Sequence, residues 1–297
     1  MLNSLAHFLF PHKKHHIIWD GMIVENGAVS LHQELDYNEP VGKGQFGIIY
    51  KGEYHLSSYY EPEKVVEVAV KEVKAMKTSE KEQAHEELDS LTELRAEHEI
   101  LHLYNYKEEG QHVLFVTELC QGGDLFDYVK ARERLSEVEA RRVIRWLLLA
   151  VQKCHAHHIC HADIKLENIG LVAKNNLGEL RLLDFGKSKR IDKGPYAAII
   201  LRGTREYVAP ELLEADEKWI DDPCPVDVWS IGVVAYALLI GLFPFATYAE
   251  MRCMELPFRR AVSDEARDLL ARLLQKDPQK RLTLEAALNH PFVKTRE

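Results

Sequence analysis

The chain has 297 residues, of which 46% are hydrophobic and 29% charged, enough apolar content to build a core in one domain or in two closely packed lobes. Its formal net charge of −9 argues against sequence-independent binding to DNA or RNA, which needs a basic footprint. The five cysteines form no CxxC pair and read as free thiols of a reducing compartment.

The opening MLNSLAHFLF is apolar but carries no Lys or Arg ahead of it, so it does not read as a secretory signal, and Leu2 excludes N-myristoylation. Residues 1–36 form a distinct N-terminal segment, PHKKHH followed by a predicted hairpin, IIWDGMIV–ENGA–VSLHQEL, in which Asn26-Gly27 suits a tight turn. From Tyr37 to Val73 the pattern is strand-like, with a polar break at SSYYEPEK. A helix follows, with Ser79 and Glu82 as its expected capping box and Ala84, Leu88, Leu91 and Leu94 as its apolar stripe. Two more strands, ILHLYNYK and HVLFVTEL, flank the Glu108–Gly110 turn.

After Gln121-Gly122-Gly123 the pattern turns helical. Ser136 and Glu139 open a helix whose inward face is Val143, Ile144, Leu147, Leu148 and Val151. Pro225 starts an apolar helix through about Ile240, and DEARDLLARLLQ and TLEAALNH supply two more. The longest apolar stretch, Ile231–Ala246, is interrupted by Gly241 and Pro244 and is too short to span a bilayer, so no membrane anchor and a cytoplasmic location are expected. The fifteen histidines show no spacing with Cys or acids that marks a metal site.

Three motifs carry chemistry. Gly42-Lys43-Gly44-Gln45-Phe46-Gly47 is a GxGxxG, weak alone, but IIYKGEY after it reads as strand. That disfavours a dinucleotide fold, whose glycines open a helix, and favours a strand–loop–strand flap whose amides approach phosphate. Val68-Ala69-Val70-Lys71 ends an apolar run in one cation, and Glu87 is its best carboxylate partner, with Glu86 and Glu97 as fallbacks. Most specific is His161-Ala162-Asp163-Ile164-Lys165-Leu166-Glu167-Asn168, followed 16 residues after Asn168 by Asp184-Phe185-Gly186.

With these residues the chain resembles the eukaryotic-type protein kinases, over about residues 37–293, and Ala209-Pro210-Glu211, Asp227-Val228-Trp229 and Arg281 extend the resemblance. It implies an α+β, bilobal fold: a small antiparallel N-lobe with one helix (37–117), a hinge (118–122) and a larger, mainly helical C-lobe (123–293). It implies ATP and Mg²⁺ as cofactors and a protein substrate phosphorylated on Ser or Thr, Lys165 pointing to that branch. By the same resemblance Val41, Gly42, Lys43, Gly44, Gln45, Phe46, Gly47, Ile49, Ala69, Lys71, Thr117, Glu118, Cys120 and Asp124 face the nucleotide. Asp163, Lys165, Lys71, Glu87 and Thr204 form the catalytic set, with Asn168 and Asp184 as metal ligands. Arg281 is the implied ion-pair partner of Glu211, and Leu91, Leu103, His161 and Phe185 an apolar column.

Some positions depart from the pattern. Ala162 stands where many kinases carry the Arg that grips a phosphorylated activation loop, and the loop here, Lys187 to Arg202, offers only Ser188 and Tyr196. Activity independent of loop phosphorylation is therefore expected. Gly170 replaces a larger apolar residue under the adenine, so a roomier floor is expected. The short run from Phe245 to Ser263 implies a trimmed docking helix, and Asp124 and Glu167 imply a preference for basic peptides. The competing reading is a pseudokinase scaffold, against which the presence of Lys71, Asp163, Asn168 and Asp184 counts. A small-molecule kinase is disfavoured by the GT…APE segment.

Overall fold

A computed structural model describes residues 15–25, 28–44, 47–58, 64–197, 203–213 and 219–294. The MLNSLAHFLF stretch, most of PHKKHH, the Asn26-Gly27 turn, Gln45, Phe46, the middle of SSYYEPEK and Arg202 lie outside the described residues. The chain divides into two compact units, residues 1–84 with 102–119, and residues 85–101 with 120–297.

The first unit is one antiparallel sheet of β1 (His15–Glu25), β2 (Ala28–Gly44), β3 (Gly47–Ser58) and β4 (Lys64–Lys74), joined after the helix α1 (Thr78–Glu93) by β5 (Leu103–Glu109) and β6 (His112–Glu118). The strand order is β1-β2-β3-β4-β6-β5. The expected hairpin is present, with Glu25 opposite Ala28. Its second strand does not stop at residue 36, however, but runs on through Tyr37 to Gly44. Alternation along β4 buries Val68 and Val70 on one face, where they pack with Tyr37, Tyr54, Leu114 and Val116. Asn105 donates to the Tyr54 hydroxyl at 3.0 Å, so the buried phenol is satisfied.

α1 begins one residue before its expected cap. Ser79 lies inside the helix, and the Glu80 carboxylate instead accepts from the amides of Met76 (2.8 Å) and Lys77 (3.0 Å). A carboxylate serves donors that no helical carbonyl can reach, and the helix dipole favours it there. The expected strand at ILHLYNYK starts only at Leu103, because Ile100 bridges Leu182 instead.

The second unit is largely helical: α2 (Leu125–Lys130), α3 (Glu137–Ala156), α4 (Cys224–Ile240), α5 (Tyr248–Cys253), α6 (Asp264–Leu273), α7 (Leu284–Leu288) and α8 (Pro291–Lys294). Three two-stranded ribbons accompany them: β7 (Ile159–Cys160) with β10 (Lys189–Arg190), β8 (Ile169–Leu171) with β9 (Leu180–Leu182), and β11 (Tyr196–Ala197) with β12 (Trp219–Ile220). The capping box of α3 closes in both directions, Glu139 N to Ser136 Oγ and Ser136 N to Glu139 Oε2. Its five expected inward residues are all buried. α4 is buried along nearly its whole length, as a helix apolar on every side must be. It stops at Gly241, whose φ of +76° and 2.2 Å approach of the Glu133 carbonyl to the place of a Cβ leave room for glycine alone. In the run from Phe245 to Ser263 the one helix is α5, of 6 residues, and no regular element follows it before Ser263.

The candidate catalytic site

In the first unit the described residues of the glycine motif lie on two paired strands, with Gly42 opposite Ile49 and Gly44 opposite Gly47. No helix follows the glycines, as the strand-like IIYKGEY requires. Val41 is 54% exposed, and Ile49 pairs in register with Lys71. Ala69 and Lys71 occupy the β4 face opposite the buried Val68 and Val70, and the Lys71 ammonium stands 5.9 Å from the Phe115 ring centroid. Thr117 is buried, its hydroxyl 3.5 Å from the Ala69 carbonyl oxygen. Glu118 is tied twice to His102, its amide donating to the His102 carbonyl (3.0 Å) and its carboxylate accepting the His102 amide (2.8 Å).

In the second unit Gly122 and Gly123 are zipped to β8 through Leu171. Asp124 caps α2 by accepting the Asp127 amide at 2.9 Å, and burial pushes its carboxyl upward. The expected roomier floor at Gly170 does not appear in this unit. A Cβ there would stand 2.7 Å from Cys120 Sγ, so the thiol fills the volume the missing side chain leaves.

Among the three candidate acids of α1 and the turn after it, only Glu87 is buried. Glu86 is ion-paired to Lys189, and Glu97 sits 2.7 Å from Lys153. Glu87 therefore occupies the inward face expected of it.

The loop from His161 to Asn168 lies deep in the unit, and side chains meet several of its backbone groups. The fully buried Asp227 accepts the amides of His161 and Ala162, both at 2.9 Å, and His155 Nε2 at 2.8 Å. Burial raises its carboxyl, but the His155 hydrogen bond and the His155 and His161 charges more than offset that, and it lies below the usual range. Cys160 completes a His155–Cys160–Asp227 cluster within 4.8 Å, which no spacing in the sequence marked. His161 Nε2 donates to the Leu183 carbonyl at 2.9 Å, and its ring lies 4.8 Å from Phe185. Leu91 is buried in the same unit. Ala162 has φ of +59°, a strained conformation held from both sides by the Asp227 bonds.

Asp163 is 4% exposed. Its Oδ1 accepts the Thr204 amide (2.9 Å) and hydroxyl (3.0 Å). Lys165 Nζ lies 3.0 Å from its Oδ2 and 2.9 Å from Thr204 Oγ1. Lys187 Nζ stands 3.6 Å from the same Oδ2. Burial alone would raise the Asp163 carboxyl, but Lys165 and then Lys187 hold it below the ordinary range. Gly203 makes this approach feasible, since a Cβ would meet Ala162 O at 2.7 Å and Asp163 Oδ1 at 2.8 Å. Asn168 spends its amide nitrogen on the Asp163 carbonyl (2.8 Å), which leaves its side-chain oxygen as the group to offer a cation. Asp184, at φ of +57°, is half-buried, and its Oδ1 is 3.4 Å from the Gly186 amide.

The segment after Asp184 is held by side-chain and backbone contacts. Ser188 is 2% exposed, donating to Phe185 O (2.7 Å) and hydrogen-bonded to Ser90 Oγ (2.9 Å). Arg190 is ion-paired to Glu93 and, at 3.1 Å, to Asp192. The Tyr196 hydroxyl donates to Arg190 O at 2.7 Å, and Tyr196–Ala197 pair with Ile220–Trp219. Glu211 and Arg281, both buried, meet bidentately at 2.7 and 2.8 Å as expected.

Sequence reasoning passed over Lys187, although a cation directly after Asp-Phe-Gly was a visible signal. It also passed over His155, which no local pattern distinguishes from its neighbours.

An antiparallel strand-rich part followed by a helical part, with Thr204 meeting the loop that carries Asp163, Lys165 and Asn168, defines a phosphotransferase of the protein kinase type. The protein kinase domain family matches residues 35–293, and the chain belongs to that family. It is 34% identical over 282 residues to a probable myosin light chain kinase of Dictyostelium discoideum, covering 92% of this chain and 86% of that one. It is 33% identical to death-associated protein kinase 2 of Homo sapiens (87% and 71% covered) and 32% to calcium/calmodulin-dependent protein kinase type 1 of Caenorhabditis briggsae (89% and 74%). The chain is a serine/threonine protein kinase acting on protein substrates. Among the described residues no helix is long and apolar enough to cross a membrane.

Proposed function

We propose that this kinase transfers the γ-phosphoryl group of ATP to Ser or Thr of basic peptide segments, and does so without phosphorylation of its own activation loop. The observation that carries the reading is the double anchoring of Asp163, one oxygen by Thr204 and the other by two lysines. A carboxylate so fixed and so buried is an oriented acceptor for the substrate hydroxyl's proton. The hydroxyl oxygen attacks the γ-phosphorus as the bond to the β-phosphate oxygen breaks. Lys165, bonded to both Asp163 and Thr204, supplies a cation where charge develops on the phosphoryl oxygens.

Asp184 and the Asn168 side-chain oxygen are hard donors and suit Mg²⁺, which when bound neutralises charge on the transferring group. In the first unit the Gly42–Gly47 turn, Ala69, Lys71, Thr117 and Glu118 are the residues assigned to the nucleotide. In the second, Cys120 and Asp124 join them, and Glu87 completes the catalytic set.

Independence from loop phosphorylation is supported by the buried Ser188 and by the Arg190–Glu93 and Lys189–Glu86 pairs, which hold the segment where Ala162 offers no cation. The preference for basic peptides rests on Asp124 and Glu167, acids that a basic peptide would meet.

The test is transfer of labelled phosphate from ATP–Mg²⁺ to a basic protein by wild type, Asp163→Ala and Asp184→Asn, before and after phosphatase treatment. Incorporation that vanishes in both variants and survives the phosphatase is expected. ATP binding without transfer by folded wild type would sink the catalytic reading, and loss of activity on dephosphorylation would sink the independence.

A further inference from the structure

We infer that Lys187 is a specificity-determining residue that favours an acceptor with an acidic residue next to the phosphorylated hydroxyl. The inference deepens the proposed function and rests on Asp163 being the group that meets the acceptor. Two ammonium groups share one oxygen of that carboxylate, Lys165 at 3.0 Å and Lys187 at 3.6 Å. Lys165 is fixed a second time by Thr204 Oγ1 at 2.9 Å and belongs to the machinery around Asp163. Lys187 approaches Oδ2 at ion-pair distance, from the segment that follows Asp184-Phe185-Gly186.

A hydroxyl that gives its proton to Asp163 must come within about 3 Å of a carboxylate oxygen. Thr204 fills Oδ1 with two hydrogen bonds, whereas Oδ2 carries one, from Lys165 at 3.0 Å, with Lys187 farther off at 3.6 Å, so the approach is to Oδ2, the oxygen beside Lys187. Successive residues of an extended peptide are roughly 3.4 Å apart, so a side chain one residue from the acceptor comes within a few ångströms of the ammonium. The Lys187 side chain is 15% exposed, which keeps water from screening its charge fully. An acidic neighbour is thereby attracted and a basic neighbour repelled. Together with the proposed preference for basic peptides, this defines a bipolar target: basic residues elsewhere in the peptide, an acidic one beside the hydroxyl.

The experiment uses the full chain and a set of serine peptides, identical except for Asp, Asn or Lys placed directly before or directly after the acceptor. Wild type is expected to prefer Asp over Lys on at least one flank by about five- to tenfold in kcat/KM. Lys187→Met should narrow that ratio to within about twofold, and Lys187→Arg should keep it. Because the ratio is internal to each variant, a general loss of activity does not imitate the result. The same peptides with Ala in place of the acceptor Ser, followed by fluorescence anisotropy, read the preference without chemistry. Asp-flanked peptides should bind wild type more tightly than Lys-flanked ones, and Lys187→Met should equalise them. Equal rates and equal binding across the set for wild type, or a preference that Lys187→Met retains, would overturn the inference. Selective binding with no transfer to any peptide would instead overturn the kinase reading and leave the role of Lys187 standing.

Discussion

The two units reach order by different means. In the sheet unit the backbone satisfies itself by strand pairing, and sequence alternation decides what is buried, as in Val68 and Val70 against Ala69 and Lys71. In the helical unit the chain around Asp163 is irregular, and several of its amides and carbonyls are met by buried side chains: Asp227, His161 and Asn168. A strand tolerates a lost side chain at the cost of some packing. An irregular loop loses its geometry when one ionic anchor goes, because the partner is left buried and unpaired.

That contrast can be broken by substitution. The largest effect is expected for Arg281→Met, which strands the buried Glu211 and should cost about 3–5 kcal/mol in denaturant unfolding. A loss comparable to that of an exposed pair would refute the anchoring role. Next, Gly203→Ala should push Thr204 away from Asp163 and lower kcat by roughly a hundredfold, and the clash with the Ala162 carbonyl should cost about 1–3 kcal/mol in unfolding as well. Gly170→Val should overpack against Cys120 and destabilise by about 1–3 kcal/mol, with Cys120→Ala restoring much of the loss. If the two changes are additive, the thiol is not what fills that space. Smallest, in the sheet, Tyr54→Phe should cost about 1 kcal/mol, since it removes the hydrogen bond to Asn105 and keeps the ring.

Acid sharpens the same contrast. The native Asp227 carboxyl lies below its unfolded value of roughly 3.9, so its stabilisation is present above that pH and is lost as pH falls through the native value. His155→Gln removes the first of its lowering causes. The acid-unfolding midpoint should therefore move upward, and an unchanged midpoint would show that the two backbone amides suffice.

Legibility followed the same division. The glycine flap and the inward face of α3 were readable because each is a short-range pattern with a physical reason for its spacing, whereas the Glu211–Arg281 pair and the place of Thr204 beside Asp163, 70 and 41 residues apart, came only from the family resemblance. Glu87 was readable from helical periodicity alone. What could not be read depends on distant chain segments. Cys120 fills the space above Gly170 from a position 50 residues earlier, and Arg190 finds Glu93 across 97 residues. The Ser79 cap was misplaced for a local reason: two good capping residues lay side by side, and Glu80, reaching back to two amides, prevailed.

β2 pairs with β3 from Ser30 to Gly44, yet its register shifts three times, between Ser30 and His32, Tyr37 and Glu39, and Pro40 and Gly42. These breaks behave as expansion joints. A residue gained or lost in the hairpin can be absorbed at the nearest joint, whereas an unbroken ladder would carry the slip to the far end and flip every side chain on the way. A change of length at the front of the strand is thereby kept from Gly42 and Gly44, opposite Ile49 and Gly47.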